Sequence, residues 1–285
     1  METIGKQKLW SIATSGKAIE TSCTAIRKST AASASDYLDL ARQVSELQFL
    51  NRDFVLMFRG QAQDYRNKSR NTTLKPSLFR AGREGLVPKK ETLEKRFEQL
   101  RKAEAILVKT YAATGFGGKT LLQRQKILRW SILQHYGVCH TPLLDVTHSL
   151  RVAASFASEG ALEEAFVFVL GVPNLSGAVT ASAEGGLQIV RLASVCPPSA
   201  VRPHIQEGYL LGEYPEMSGV DQKEHYTNFE IDFGRRLIAK FRFEPKSFWK
   251  GATFPPMTRE ALYPDATDPV FLIAKSIKDQ LAQKA

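Results

Sequence analysis

Apolar residues recur along this chain at two spacings, and the spacing sorts the chain into elements. From Ala32 to Leu50, the residues Tyr37, Leu38, Leu40, Val44, Leu47 and Leu50 fall at helical intervals, with Ser35 or Asp36 placed to cap the first turn. The segment before them is rich in Ala, Ser and Thr and reads as loosely attached. Phe54-Val55-Leu56-Met57-Phe58 is a short apolar run, the mark of a buried strand, and it ends on Arg59-Gly60-Gln61, the start of a polar loop to Arg70. Leu74 to Arg80 is expected to be an extended turn segment, because Pro76 disfavours helix before it.

Helical spacing returns in Leu93, Phe97, Leu100, Ala103 and Leu107, which predicts a helix from Thr92 to Thr110 with a charged outer face. Another is expected from Leu121 to Tyr136. Between them, Gly115-Phe116-Gly117-Gly118-Lys119-Thr120 has the residue types of a phosphate loop but neither its spacing nor a preceding strand, so it reads as a helix breaker. A short helix is predicted from Ser149 to Ser158, with Val152, Ala153 and Phe156 inward. Strands are predicted at Ala165–Val172, Leu187–Leu192, Tyr209–Leu211 and Leu237–Phe243, and a last helix at Asp268–Leu281. Long helices followed by several strands indicate an α+β protein with a mixed or antiparallel β core flanked by helices.

Composition changes this picture in three respects. No apolar run approaches the ~18 residues of a membrane span, and lysines such as Lys8 and Lys17 interrupt any secretory leader, so no membrane role and a cytoplasmic location are expected. Cys23, Cys139 and Cys196 are odd in number and widely spaced, which suits a reducing compartment rather than a disulfide framework. The formal charge of +10 favours anionic partners, with nucleic acid foremost.

The densest chemistry lies in Gln134-His135-Tyr136-Gly137 and Thr141-Pro142-Leu143-Leu144-Asp145-Val146-Thr147, running on to Ser149. Polar groups so concentrated within apolar sequence must be exposed, paired with each other, or used. Asp145, flanked by Leu144 and Val146, would need donors if buried, since an unpaired buried charge is very costly. It either braces a turn, pairs with Arg59, or works on a ligand. His135 either holds Asp145, meets a ligand, or is a satisfied core histidine. Thr147 could serve as a helix N-cap, worth ~1 kcal/mol with no catalysis at all. His140, His148, His204 and His225 lack HxxxH or HExxH spacing, so no metal site is expected. Cys139 beside His140 is a weak candidate nucleophile, because neighbouring side chains rarely face each other.

Four ordered blocks resemble the FRG-domain family of bacteria and phages. The first is Phe58-Arg59-Gly60-Gln61 leading to Leu74-Lys75-Pro76-Ser77-Leu78-Phe79-Arg80. The second is the central stretch with Val152-Ala153 and Phe156-Ala157. Arg202-Pro203 with Gln206-Glu207-Gly208 forms the third, and Leu262-Tyr263-Pro264-Asp265 the fourth. The resemblance implies an N-terminal helical extension over 1–50 and an FRG domain over 51–285.

Block order is also similar to that of ADP-ribosyltransferases, which implies their fold, NAD as substrate, and a toxin or antiviral-defence effector that modifies an intracellular target, most naturally RNA or DNA. On that resemblance Asp145, Gln206 and His135 are catalytic candidates, while Arg59, Gln61, Tyr136, Thr147 and Ser149 would contact the dinucleotide. An antitoxin or regulatory protein is a further implied partner. The resemblance departs at Gly208, which stands where those enzymes carry a glutamate, and strand alternation would put Gln206 on the same face. The competing reading is a non-catalytic recognition module for a nucleotide, phage component or partner protein. A His135-based nuclease is a third, weakened by the absence of a second placed histidine.

Overall fold

The chain opens with a β-hairpin, β1 (Lys8–Ile12) and β2 (Ala18–Ser22), followed by α1 (Cys23–Lys28), whose first turn is capped by the Ser22 hydroxyl. A two-residue strand, β3 (Ala32–Ser33), leads into α2 (Tyr37–Leu50), where the Asp36 carboxylate accepts from the Asp39 N–H. Then come β4 (Val55–Gln61), a 3-10 turn at Ser77–Phe79, α3 (Lys90–Ala112), α4 (Lys119–Arg124) and α5 (Lys126–His135). β5 (Leu144–Thr147), α6 (Leu150–Ser158), β6 (Ala165–Val172), β7 (Val179–Ser182) and β8 (Leu187–Arg191) follow. Next are α7 (Leu192–Val195), α8 (Val201–Ile205), β9 (Gly208–Glu213), α9 (Val220–Glu224) and β10 (Leu237–Phe243). Last in the described residues come α10 (Pro245–Phe248), α11 (Arg259–Leu262) and α12 (Pro269–Ala282). This computed structural model describes residues 7–81, 87–250 and 254–283.

The chain is α+β and divides into two units, each woven from three separate stretches. The first contains residues up to Leu74, Val146–Leu175 and Asp232–Leu262. Its strands lie in the order β3, β10, β6, β4, β5, with β3 parallel to β10 and the other pairs antiparallel. β6 reads Ala-Phe-Val-Phe-Val-Leu-Gly-Val and is buried along nearly its whole length, as its unbroken apolar run predicts for a central strand. β4 extends three residues further than predicted. Arg59, Gly60 and Gln61 do not open a loop; they pair with Phe168, Val167 and Phe166 of β6.

The segment before α2 is not loosely attached. The buried Arg27 of α1 pairs with Asp232 at 2.5 Å and donates to the Thr72 carbonyl at 3.0 Å. Asp232 also accepts the N–H groups of Leu74 and Gly234, so the buried carboxylate is satisfied on both oxygens. Nearby, Lys240 Nζ donates to Thr72 Oγ1 at 2.8 Å and pairs with Asp64 at 3.3 Å. Burial holds the Lys240 ammonium below its ordinary pKa, with Asp64 pulling the other way. Residues 1–50, expected as a helical extension, thus include a hairpin and a helix built into this unit.

The second unit contains Lys75–Asp145, Ser176–Ile231 and the residues from Tyr263 onward. One apolar core joins α3, α5 and α12 to β8 and β9, with Phe97, Trp130, Leu133, Leu210 and Ile277 among its buried members. Each Leu or Phe so buried is worth roughly 1.5–3 kcal/mol. The helix predicted from Leu121 to Tyr136 is broken at Gln125, whose backbone is extended (φ −106, ψ 110). Arg129 explains the break: its guanidinium donates to the Leu122 and Gln123 carbonyls, groups that would otherwise end α4 without partners. Gly118, at φ +80, separates α3 from α4, in keeping with the breaker role of the glycine run.

Candidate functional site

Four central polar residues of the second unit, Thr141, Gln134, Asp145 and His135, lie in a chain. Thr141 Oγ1 accepts the Leu143 N–H at 3.2 Å and donates to Gln134 Oε1 at 2.5 Å. The Gln134 amide then donates to Asp145 Oδ2 at 2.6 Å. The other carboxylate oxygen, Oδ1, lies 3.5 Å from Nδ1 of His135. His135 is at the end of α5 with its side chain 3% exposed, whereas the Asp145 side chain is 38% exposed. Asp145 thus sits at a boundary with water and accepts from Gln134. Among the described residues, His135 Nε2 is buried with no hydrogen-bond partner.

Beside the histidine lies Gly208. A Cβ built there would stand 2.8 Å from Leu192 Cδ1 and 3.4 Å from His135 Cε1. The missing glutamate therefore has a steric reason, since the space a side chain would enter is held by Leu192 and the imidazole. Gln206 is not on the strand face expected for it. It ends α8 in a helical conformation (φ −81, ψ −5), Glu207 follows in the left-handed region at φ +43, and β9 begins only at Gly208. Strand alternation cannot be counted back through that turn. Gln206 is nonetheless 8% exposed and two residues from the glycine that abuts His135.

Tyr136, expected beside a cofactor, has another task. It is 2% exposed, its hydroxyl donates to Asp268 at 2.7 Å, and burial, reinforced by that bond, drives its phenol far above the ordinary range. Asp268, the N-cap of α12, also accepts the N–H groups of Val201 and Arg202 at the start of α8 and of Val270. Arg202 donates to the His135 carbonyl, pairs with Asp265, and places its guanidinium 5.1 Å from the Tyr136 ring centre and 5.2 Å from that of Tyr263. Arg202 and Asp268 carry the joint between α5, α8 and α12, and sequence reasoning gave neither a role. The signal was present in the Arg202-Pro203 and Tyr263-Pro264-Asp265 blocks, but not which block would meet which.

In the first unit, Gly60 faces α6 so closely that only glycine fits: a Cβ would lie 1.8 Å from the Ala153 carbonyl oxygen and 2.7 Å from the Ala157 nitrogen. Alternation then turns Arg59 and Gln61 to the opposite face, level with Phe168 and Phe166. Thr147 pairs with Phe58 and so shares the α6 face. Arg59 and Gln61 are thus separated by the sheet from Thr147, although all three were expected around one ligand. Nor does Thr147 cap α6. Ser149 is the N-cap residue, and Thr147 Oγ1 accepts the Ser149 N–H at 2.9 Å, which turns the chain out of β5. Phe156, expected inward, is partly buried. At the end of β4, a cavity of about 740 Å³ is lined by Gln63, Asp64, Arg66, Phe166 and Arg242 among others.

Burial keeps the three thiols protonated at neutral pH. Burial pushes Cys139 and Cys196 up to about 12 and Cys23 up to about 11, so Cys139 is no nucleophile beside His140. Among the described residues, no group of three or more His, Cys, Asp or Glu side chains is placed to hold a metal ion. No described helix is long and apolar enough to cross a membrane.

Comparison with known families agrees with the first two sequence blocks. The model of the FRG domain matches residues 55–165, from the start of β4 to the first residue of β6. The third and fourth blocks lie beyond the matched residues. No curated protein and no solved structure matched the chain. Residues 55–165, with the Phe58-Arg59-Gly60 triplet closed against α6, therefore carry an FRG domain.

Proposed function

We propose that the chain is an ADP-ribosyltransferase-like effector that uses NAD to modify an intracellular target, with RNA or DNA favoured by the charge of +10. The observation that carries this reading is the His135–Asp145 pair. A buried imidazole with a carboxylate behind Nδ1, and Nε2 unpartnered among the described residues, is the arrangement of a positioned proton acceptor. In the reaction, the bond between nicotinamide and the ribose C1′ breaks and nicotinamide leaves with its electron pair. The acceptor attacks C1′ and its proton passes to His135 Nε2. Of the expected dinucleotide contacts, Arg59 and Gln61 share a sheet face in the first unit. Thr147 and Ser149 leave that set, because they serve the turn into α6. A toxin or defence setting, with an antitoxin or other regulatory protein as partner, fits an enzyme that consumes NAD and modifies nucleic acid.

The second reading, a non-catalytic FRG recognition module, is favoured by one observation: Gly208 brings no carboxylate, and a Cβ there would crowd Leu192 Cδ1 at 2.8 Å. A single experiment separates the two. Purified protein is incubated with labelled NAD and with cellular RNA, DNA and protein, and both label and free nicotinamide are followed. Transfer is expected, reduced ~10²–10⁴-fold by His135→Asn. Absence of label in every fraction together with no nicotinamide release eliminates the enzyme and leaves the binding module.

A further inference from the structure

We propose that Gln134 and Thr141 are positioning residues that lock His135 in the tautomer carrying its proton on Nδ1, leaving Nε2 as a bare acceptor. The use of that acceptor in catalysis rests on the reading above; the tautomer does not. The argument follows the direction of each hydrogen bond. Thr141 is fully buried, and its oxygen already accepts the Leu143 N–H, so its single proton goes to Gln134 Oε1. The Ser77 hydroxyl, which accepts the Thr141 N–H, lies 3.5 Å from the same Oε1. With its oxygen held by hydroxyls, the Gln134 amide has one orientation, with its NH₂ directed at Asp145 Oδ2 at 2.6 Å. That bond fixes the carboxylate plane and leaves Oδ1 facing His135 Nδ1. A carboxylate only accepts, so a bare Nδ1 would set a lone pair against a negative oxygen. Nδ1 must carry the hydrogen, and the neutral ring then has its lone pair on Nε2.

This is the opposite of the preference of free histidine, whose neutral ring favours the proton on Nε2. The backbone N–H of Leu143 is therefore linked through three side chains to the protonation pattern of a ring that it does not touch.

Long-range ¹H–¹⁵N NMR of the imidazole nitrogens in the full chain tests this directly, well above the ordinary histidine pKa of ~6.5. The signals of His135 are identified among the five histidines by their loss in His135→Gln. The wild-type protein is expected to show the Nδ1–H tautomer as the dominant neutral form. Thr141→Val and Gln134→Leu should shift the population towards Nε2–H, whereas Thr141→Ser should retain the wild-type pattern. A dominant Nε2–H form in the wild-type chain overturns the proposal, as does an unchanged tautomer in folded Thr141→Val or Gln134→Leu. If either variant fails to fold, the wild-type spectrum still decides. Because the readout is a chemical shift, absence of NAD turnover leaves this inference standing, and a wrong tautomer leaves the labelled-NAD result to be judged separately.

Discussion

The Cα of Gly60 lies beneath Ala153 so closely that a methyl group on it would stand 1.8 Å from the Ala153 carbonyl oxygen. The obstacle is helix backbone, which cannot rotate aside as a side chain can. Gly60→Ala is therefore expected to cost at least the ~1–3 kcal/mol usual for overpacking, and to lower soluble yield. Chemical denaturation of the purified variant measures this. A midpoint within error of wild type would mean that α6 does not pack on β4 as described.

Arg27 and Asp232 form the buried pair that ties α1 to the chain after residue 231. Arg27→Met leaves Asp232 with only backbone donors and should cost ~3–5 kcal/mol, the usual consequence of removing one partner of a buried pair. Adding Asp232→Asn should recover part of that loss. Two single losses that sum to the double, in a double-mutant cycle, would rule out the coupling.

Gly208→Ala adds a methyl group 2.8 Å from Leu192 Cδ1 and 3.4 Å from His135 Cε1, and is expected to destabilise by ~1–3 kcal/mol. Leu192→Ala in the same chain should relieve part of the clash. Thermal unfolding of the four proteins shows the relief as a smaller Gly208→Ala penalty in the Leu192→Ala background. An equal penalty in both would locate the strain elsewhere.

Burial raises Cys196 from 9.0 in the unfolded chain to about 12 in the folded one. The native state then holds a proton that the unfolded state releases, so this stability is fully present below pH 9 and is lost as pH rises towards 12. Unfolding free energy measured from pH 8 upward should fall with pH, and Cys196→Ala should flatten that slope. At neutral pH, native protein should react with a thiol reagent far more slowly than denatured protein. Rapid labelling of Cys196 in the native state would contradict its burial.

The elements legible in the sequence are those whose own residues carry the signal. α3, β6, β10 and α12 could be read because apolar spacing alone specifies them, and Asp36 was recognisable as a cap because the cap is local. The strand character of Arg59-Gly60-Gln61 was not, because Arg, Gly and Gln have little preference for strands and are held there by β6. Nor was the break at Gln125, whose cause is the Arg129 side chain. In the candidate site, the pairing of His135 with Asp145 was foreseeable over ten positions of chain. The bond from Tyr136 to Asp268 spans 132, and no periodicity encodes it.

The weave of the two units bears on how the protein can be cut. A fragment trimmed to the matched 55–165 would keep β4 and the Phe58-Arg59-Gly60 triplet but retain one residue of β6 and none of β10. It would strand Tyr136 without Asp268, and remove the Arg202 that holds the His135 carbonyl. The stretch that names the family is therefore not a piece that can be excised and studied alone. A gene fusion or truncation that respects the sequence motif would sever the scaffold, whereas breakpoints outside 23–282 spare every helix and strand from α1 to α12.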